Sequence, residues 1–454
     1  MKIKKLILVP VLSMVLSGCS TTNRVNGFID TPIVSFNGNL TTVGGIDLLR
    51  NPSKLSHEIA GEQYDSESFT NFRNKMKVFS NKLSDLFVKR FFKGDKNFVL
   101  SPLSIEMCLG LAMRSAGGRT RDEILAAFDM DYDTFNTNFK LYFNSLHGTG
   151  KNNSGEITNE LLIANSIWID KGFNLKDDGL DALRDDYYCY PYAAGFSNDF
   201  GNAKRAIEEF IYQNTKGLIN PSLDLNPATL FVLMNVLYAK DIWNQYGDEL
   251  SYASSYYRFT NSDGSKSDKQ LLDGHYAKGK PIVTDDYACF FAELCGYELY
   301  FVKPNRGKNL KDVFNKDTMN YVLDSKNIIT KDDEKLEKYY TKCVFPEFNV
   351  SGDFDLKDVL QYDLGIESLF NPATCDMSGL TDMPVYCDDA KHLAVLDVNK
   401  KGIEGAAVTY LAYAGAGYDP YKEVFDTFEV NKEFGFILTR CGSVVFSGVV
   451  NNID

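Results

Sequence analysis

The stretch VNKKGIEGAAVTYLAYAGAG, residues 398–417, decides how the rest of the chain is read. It starts like a β-strand and then gives way to Gly, Ala and other small side chains that offer a strand little to pack with. From Gly402 onward one alternate set is Ile403, Gly405, Ala407, Thr409, Leu411 and Tyr413, and the other is Glu404, Ala406, Val408, Tyr410 and Ala412. Only the second set carries a charge, so a strand made from this segment turns the first set toward a core. The segment can enter a sheet, but its own side chains do little to hold it there.

Around it, 454 residues with 44% hydrophobic and 13% aromatic content are enough to bury a large core. The net charge of −13, with no basic run interleaved with aromatics, excludes nucleic acid as a partner, because a phosphate backbone is bound by concentrated Lys and Arg. The four histidines, His57, His147, His275 and His392, lie outside metal-ligand spacing of one another and of any Cys pair. GxSxG, GxxxxGK[ST] and GxGxxG patterns are absent, so the sequence asks for no cofactor, no metal and no enzymatic activity.

The N-terminus has a basic MKIKK, an apolar LILVPVLSMV too short to span a bilayer, and LSGC ending at Cys19. This resembles a bacterial lipoprotein signal over residues 1–18, with Cys19 acylated and anchored in a cell membrane on its extracellular side. Two or more acyl chains, at about 0.8 kcal/mol per buried CH₂, hold such an anchor durably. Residues 19–67, rich in Thr, Asn, Gly and Ser, read as a tether, and 68–454 as one folded domain. Eight further cysteines are scattered without a CxxC, and several sit in apolar runs as small buried hydrophobes.

Within the domain, Phe72, Met76, Phe79, Leu83, Leu86 and Phe87 recur at helical spacing. NFVLSPLSIEMCLGLAMRSAGG reads as a short strand, a Ser-Pro helix start, a buried helix and a Gly-Gly stop; Thr120 and Glu123 read as a capping box for the next helix. NELLIANSIWID and TLFVLMNVLYAK read as strands covered on both faces, and FGFILTRCGSVVFSGVVNN as a buried hairpin. The fold class is α+β with a large sheet.

Taken in order, these segments resemble the serpin family from about Phe69 to the end, with HLAVLDVNKKGIEGAAV similar to the strand and hinge that lead into its reactive-centre loop. The resemblance implies about nine helices around three β-sheets with that loop exposed. It also implies a suicide mechanism: a serine protease cleaves the loop, and the loop inserts into the central sheet with the protease still acylated. The family's scissile position falls at Ala416 before Gly417, counted from Gly402 and, independently, from FEVNKEFGF. Ala416 suits elastase-like or subtilisin-like proteases with shallow pockets, and cysteine proteases stay open as targets. The hinge is Lys400, Gly402, Ile403, Glu404, Gly405, Ala406, Ala407, Val408 and Thr409, and the buried shutter cluster is Ser101, Ser104, Asn235 and His392.

Two hinge residues depart from the family pattern. Lys400 stands where an acidic residue usually anchors the loop, so that anchor is absent or reversed in sign, and Ile403 stands where a small hydroxyl residue is usual. A monomeric inhibitor is one reading. A non-inhibitory relative, acting as protease substrate, binding or scaffold protein, is the other.

Overall fold

A computed structural model of the chain describes residues 4–12, 46–50, 53, 61–152, 155–226, 228–243, 249–254, 257–324, 339–403 and 423–453. The periodic apolar stripe becomes the helix Glu67–Phe91. Ser66 caps it by accepting the Phe69 N–H at 3.2 Å, and Phe69, Phe72, Met76, Phe79, Leu83 and Phe87 are buried. Leu86 is only partly buried, one position off that stripe. Ser101 caps the next helix, Pro102–Ser115, by accepting the Ser104 N–H, and Pro102 opens its first turn without losing a needed donor. This helix is buried on almost every side and forms the centre of the molecule.

The expected capping box at Thr120 and Glu123 does not form. The following helix, Gly118–Phe128, starts behind Gly117 with no side-chain cap. Thr120 Oγ1 instead accepts the Asp376 N–H, and Glu123 accepts both the N–H and the hydroxyl of Ser368. The segment 368–378 competes successfully for both side chains. A Cβ on Gly117 would stand 2.2 Å from Ser378 Oγ, so that segment also explains the glycine.

Among the described residues the principal sheet has nine strands. On one side, Ile157–Asp170 pairs antiparallel with Thr229–Ile242 and parallel with Cys189–Ala194. On the other, Phe348–Asp355 pairs antiparallel with Val385–Asn399. The facing strands Thr229–Ile242 and Val385–Asn399 run parallel and pair only through what lies between them. Gly402–Ile403 enters that slot at its upper end, antiparallel to both, and Lys4–Leu12 lies lower down, parallel to both.

A six-stranded sheet carries the hairpin Phe434–Arg440 and Ser443–Val450, every residue of which except its turn is buried. A four-stranded sheet and the small ribbon Arg258–Thr260 with Lys266–Gln270 complete the β structure of the described residues, and the α+β class expected from sequence holds.

Part of 19–67 lies against the domain. Asp47–Leu48 extends the principal sheet beyond Cys189–Ala194, and Arg50 bonds Asp181 at 3.1 Å and also Asp177 on the helix Asp177–Tyr187.

At the centre, Glu106 is fully buried between three helices, accepting from Ser80 and, at 2.9 Å, from Tyr142. Burial raises its carboxyl to about 8, and the two donated hydrogen bonds only partly oppose that shift. The folded protein therefore holds a proton that the unfolded chain releases near its ordinary carboxylate value. The stability this gives is fully present below that value and is lost as pH rises toward 8. Glu106→Gln should leave the melting temperature near that of the parent at pH 5 and raise it at pH 9, as read by differential scanning calorimetry; equal curves at both pH values would refute the assignment.

Candidate functional site: the strand slot, its hinge and its floor

The hinge is built where Val385–Asn399 turns back on itself. Asn399 pairs with Gly402 and Val398 with Ile403, while Gly402 and Ile403 pair on the other side with Ile242 and Asp241. Gly402 holds φ +144°, and a Cβ there would lie 2.0 Å from the Asp241 carbonyl oxygen, so both conformation and space require glycine. Ile403 is fully buried in the main core, facing as the uncharged alternate set is expected to face.

Trp243 closes the top. It is buried against Phe345 and His275, and its Nε1–H donates to the Asn399 carbonyl at 2.9 Å. Trp168 packs instead under Tyr192 and Phe210 on the other face of the sheet.

The anchor at Lys400 is present with its sign reversed. Lys400 Nζ lies 2.5 Å from Glu249, and Lys401 joins the same carboxylate at 3.5 Å. The hydrogen bond from Lys400 holds the Glu249 carboxyl below its ordinary value, an effect that solvent weakens because both groups are over a third exposed. The backbone is fixed independently: Lys400 N–H donates to Glu347 at 2.9 Å, and its carbonyl accepts from Leu250 at 2.7 Å.

The four shutter residues meet under the middle of the slot. Ser104 Oγ donates to Asn235 Oδ1 at 2.6 Å, and Asn235 Nδ2 donates to Asn165 Oδ1 at 2.9 Å. The Ser101 N–H donates to His392 Nε2 at 3.0 Å, and its hydroxyl donates to the Val445 carbonyl at 2.6 Å. The cluster thus ties the central helix to strands on both sides of the slot and to the second sheet.

Burial lowers His392 to about 3, so the ring is neutral and its proton sits on Nδ1. Because the unfolded ring titrates near its ordinary value, this histidine removes stability as pH falls below about 6.5 toward 3. Asn165 belongs to the cluster, although sequence reasoning does not single it out. It also donates to the Tyr187 carbonyl at 2.8 Å, and its one signal in the sequence is an amide inside the apolar run IANSIW.

Glu404, Gly405, Ala406, Ala407, Val408, Thr409, Ala416, Gly417 and Cys19 lie outside the described residues.

Among the described residues, the two middle strands of the sheet are joined only through a hinged insert above a buried polar cluster. The model of the serpin (serine protease inhibitor) family matches residues 75–453, and the chain belongs to that family.

Among curated relatives, human antithrombin-III is 24% identical over 432 residues, covering 89% of this chain and 88% of that protein. Alpha-1-antiproteinase F of Cavia porcellus is 24% identical over 355 residues, covering 75% of this chain and 81% of its own. Among solved structures, the thermophilic serpin tengpin in its native state superposes with a TM-score of 0.69 at 18% identity, over 90% of this chain and all of that one. Human thyroxine-binding globulin complexed with its hormone superposes with a TM-score of 0.66 at 22% identity, over 84% of this chain and 99% of that one. Members of the family are in general protease inhibitors rather than enzymes and interact with serine proteases.

Asn235→Ala strands the Ser104 hydroxyl without its acceptor and Asn165 without its donor. It should cost about 2–4 kcal/mol, seen as a lower midpoint of urea unfolding at unchanged slope. A loss under about 0.5 kcal/mol would mean that the cluster is not a coupled unit.

Proposed function

We propose that this serpin is a suicide inhibitor of serine proteases that prefer a small residue before the cleaved bond. Cleavage is placed at Ala416–Gly417, and the released segment then enters the slot as a new strand. The register at the hinge carries this reading. Gly402 and Ile403 already pair antiparallel with both lips. Continued residue for residue, the same pairing would bring Gly415 opposite Thr229 and Ala416 opposite Val385, the first residues of the two lip strands. Each lip carries a register shift near that end, so the match holds to about one residue. The length from hinge to scissile bond, counted from sequence, is therefore the length of the slot.

The faces agree as well. Gly405 and Ala407 would fall opposite Leu396 and Ala394, both buried, while Glu404 would fall opposite the half-buried Asp397 and beside Lys240. Thr409 would come between His392 and Asn235, where the His392 Nδ1–H has no partner among the described residues. About a dozen new ladder residues at roughly 1 kcal/mol net per hydrogen bond supply on the order of 10 kcal/mol, enough to drive the displacement of an acylated protease.

The targets are extracellular serine proteases of the elastase-like or subtilisin-like kind, with cysteine proteases as a further class. The protein acts as a monomer, attached to a bacterial cell membrane through acylated Cys19. Removal of residues 1–18 would also take Lys4–Leu12 out of the slot and leave it to the loop.

A second reading, a serpin that is cleaved as a substrate or serves as a binding or scaffold protein, is favoured by Ile403. A β-branched side chain at the first buried position slows entry, and entry must outrun deacylation.

Incubation with an elastase-like protease should give a complex that survives denaturing electrophoresis, and loop cleavage should raise the melting temperature of the free protein by tens of degrees. Ile403→Arg places a charge at a fully buried position, so it should convert the protein to a substrate that is cleaved and released. Turnover without complex by the parent protein, or unchanged inhibition by the Arg variant, would defeat this reading.

A further inference from the structure

Arg440, at the turn of the hairpin Phe434–Arg440 and Ser443–Val450, is a guanidinium buried without a carboxylate partner among the described residues. It is 4% exposed, and its Nε and Nη1 have no hydrogen-bond partner among the described residues. An ionised group held this way is among the most costly arrangements a fold can contain unless a counter-charge reaches it. The nearby acidic groups are otherwise engaged. Asp241 accepts from the N–H groups of Ile242 and Gly296, and Glu298 accepts from Tyr300 and Thr439.

The side chains around Arg440 are mostly donors as well. Its guanidinium carbon stands 5.4 Å from the ring centre of Tyr297, whose buried hydroxyl has no partner among the described residues. Cys441 donates its thiol to the Ser145 carbonyl at 3.7 Å, which sets the turn against the end of the helix Tyr132–Leu146.

At that helix end, His147 Nδ1 accepts the Ile163 N–H at 3.0 Å, which places the ring proton on Nε2, itself buried and unpartnered among the described residues. Burial first, and then the charge of Arg440, lowers His147 to about 3, so the imidazole adds a donor and no second cation. Three guanidinium N–H bonds on Nε and Nη1, the imidazole N–H of His147 and the phenol of Tyr297 are all without a partner among the described residues. A bridging water would satisfy some of these donors but would leave the charge uncompensated.

We propose that Arg440, Tyr297 and His147 form a binding site for a small inorganic anion of about chloride size, which supplies the counter-charge that the described residues do not provide. The site is separate from the strand slot and does not depend on whether the protein inhibits proteases.

The test uses the full-length protein at constant ionic strength, with gluconate replaced stepwise by chloride or, in a second series, by inorganic phosphate. The melting temperature should rise by roughly 1–2 °C per ten-fold increase of the bound anion above its dissociation constant, and ³⁵Cl resonances should broaden if chloride is the one bound. A response confined to phosphate supports the site with a larger occupant.

Arg440→Met keeps the length of the side chain and removes the charge. It should melt above the parent protein in gluconate and lose the response to both anions. Tyr297→Phe, a milder change that leaves the charge in place, should weaken anion binding about five- to ten-fold. Identical melting in all three salts would overturn the proposal, as would an Arg440→Met protein that folds and responds like the parent. Should Arg440→Met fail to fold, unchanged anion affinity in Tyr297→Phe would overturn it.

Discussion

Two parallel strands that do not pair with each other, Thr229–Ile242 and Val385–Asn399, impose the constraint on which this molecule is organised. Each presents a row of backbone N–H and C=O groups to the gap between them, and buried backbone groups of this kind must find partners. At the upper end Gly402 and Ile403 meet that need, and Lys4–Leu12 meets it lower down in the opposite direction. The slot therefore accepts a strand of either polarity.

The floor of the slot joins both lips to the central helix. Apolar packing alone would let the strands slide, because dispersion contacts are individually weak and carry no direction. The chain Ser104, Asn235, Asn165 and Tyr187 is directional and buried, and Ser101 with His392 repeats the arrangement on the opposite lip. Breaking such a network without replacing its bonds costs more than forming it gains, so these bonds fix the central helix against both lips.

Much of this is legible in the sequence, for identifiable reasons. The Glu67–Phe91 helix follows from a six-residue apolar stripe, and the lip strands from apolar runs too long and too β-branched for another element. The hairpin Phe434–Val450 follows from two such runs joined at Gly442. The inward set of the hinge follows from the single charge at Glu404, and Ile403 lies where that argument places it. Local reading fails where a distant segment intervenes. Thr120 and Glu123 have the spacing of a capping box, but residues 368–378 supply them with better partners from about 250 positions away. Nor can the outcome at Lys400 be chosen from sequence. An absent anchor and an inverted one leave the same pattern, and only the arrival of Glu249 beside both lysines distinguishes them.

That inversion bears on how the hinge works. A salt bridge between half-exposed groups contributes little to stability whichever partner carries the positive charge. The backbone bonds of Lys400 to Glu347 and Leu250, together with the Trp243 bond to Asn399, stay in place under either sign. The position of the turn is thus fixed mainly by main-chain hydrogen bonds under a buried indole, and the charge pair adds orientation to an end already held. Because the reversal of Lys400 and Glu249 exchanges one weak contact for its mirror image, the geometry at Gly402 survives it. The tighter position is one residue later, where the β-branched side chain of Ile403 is fully buried.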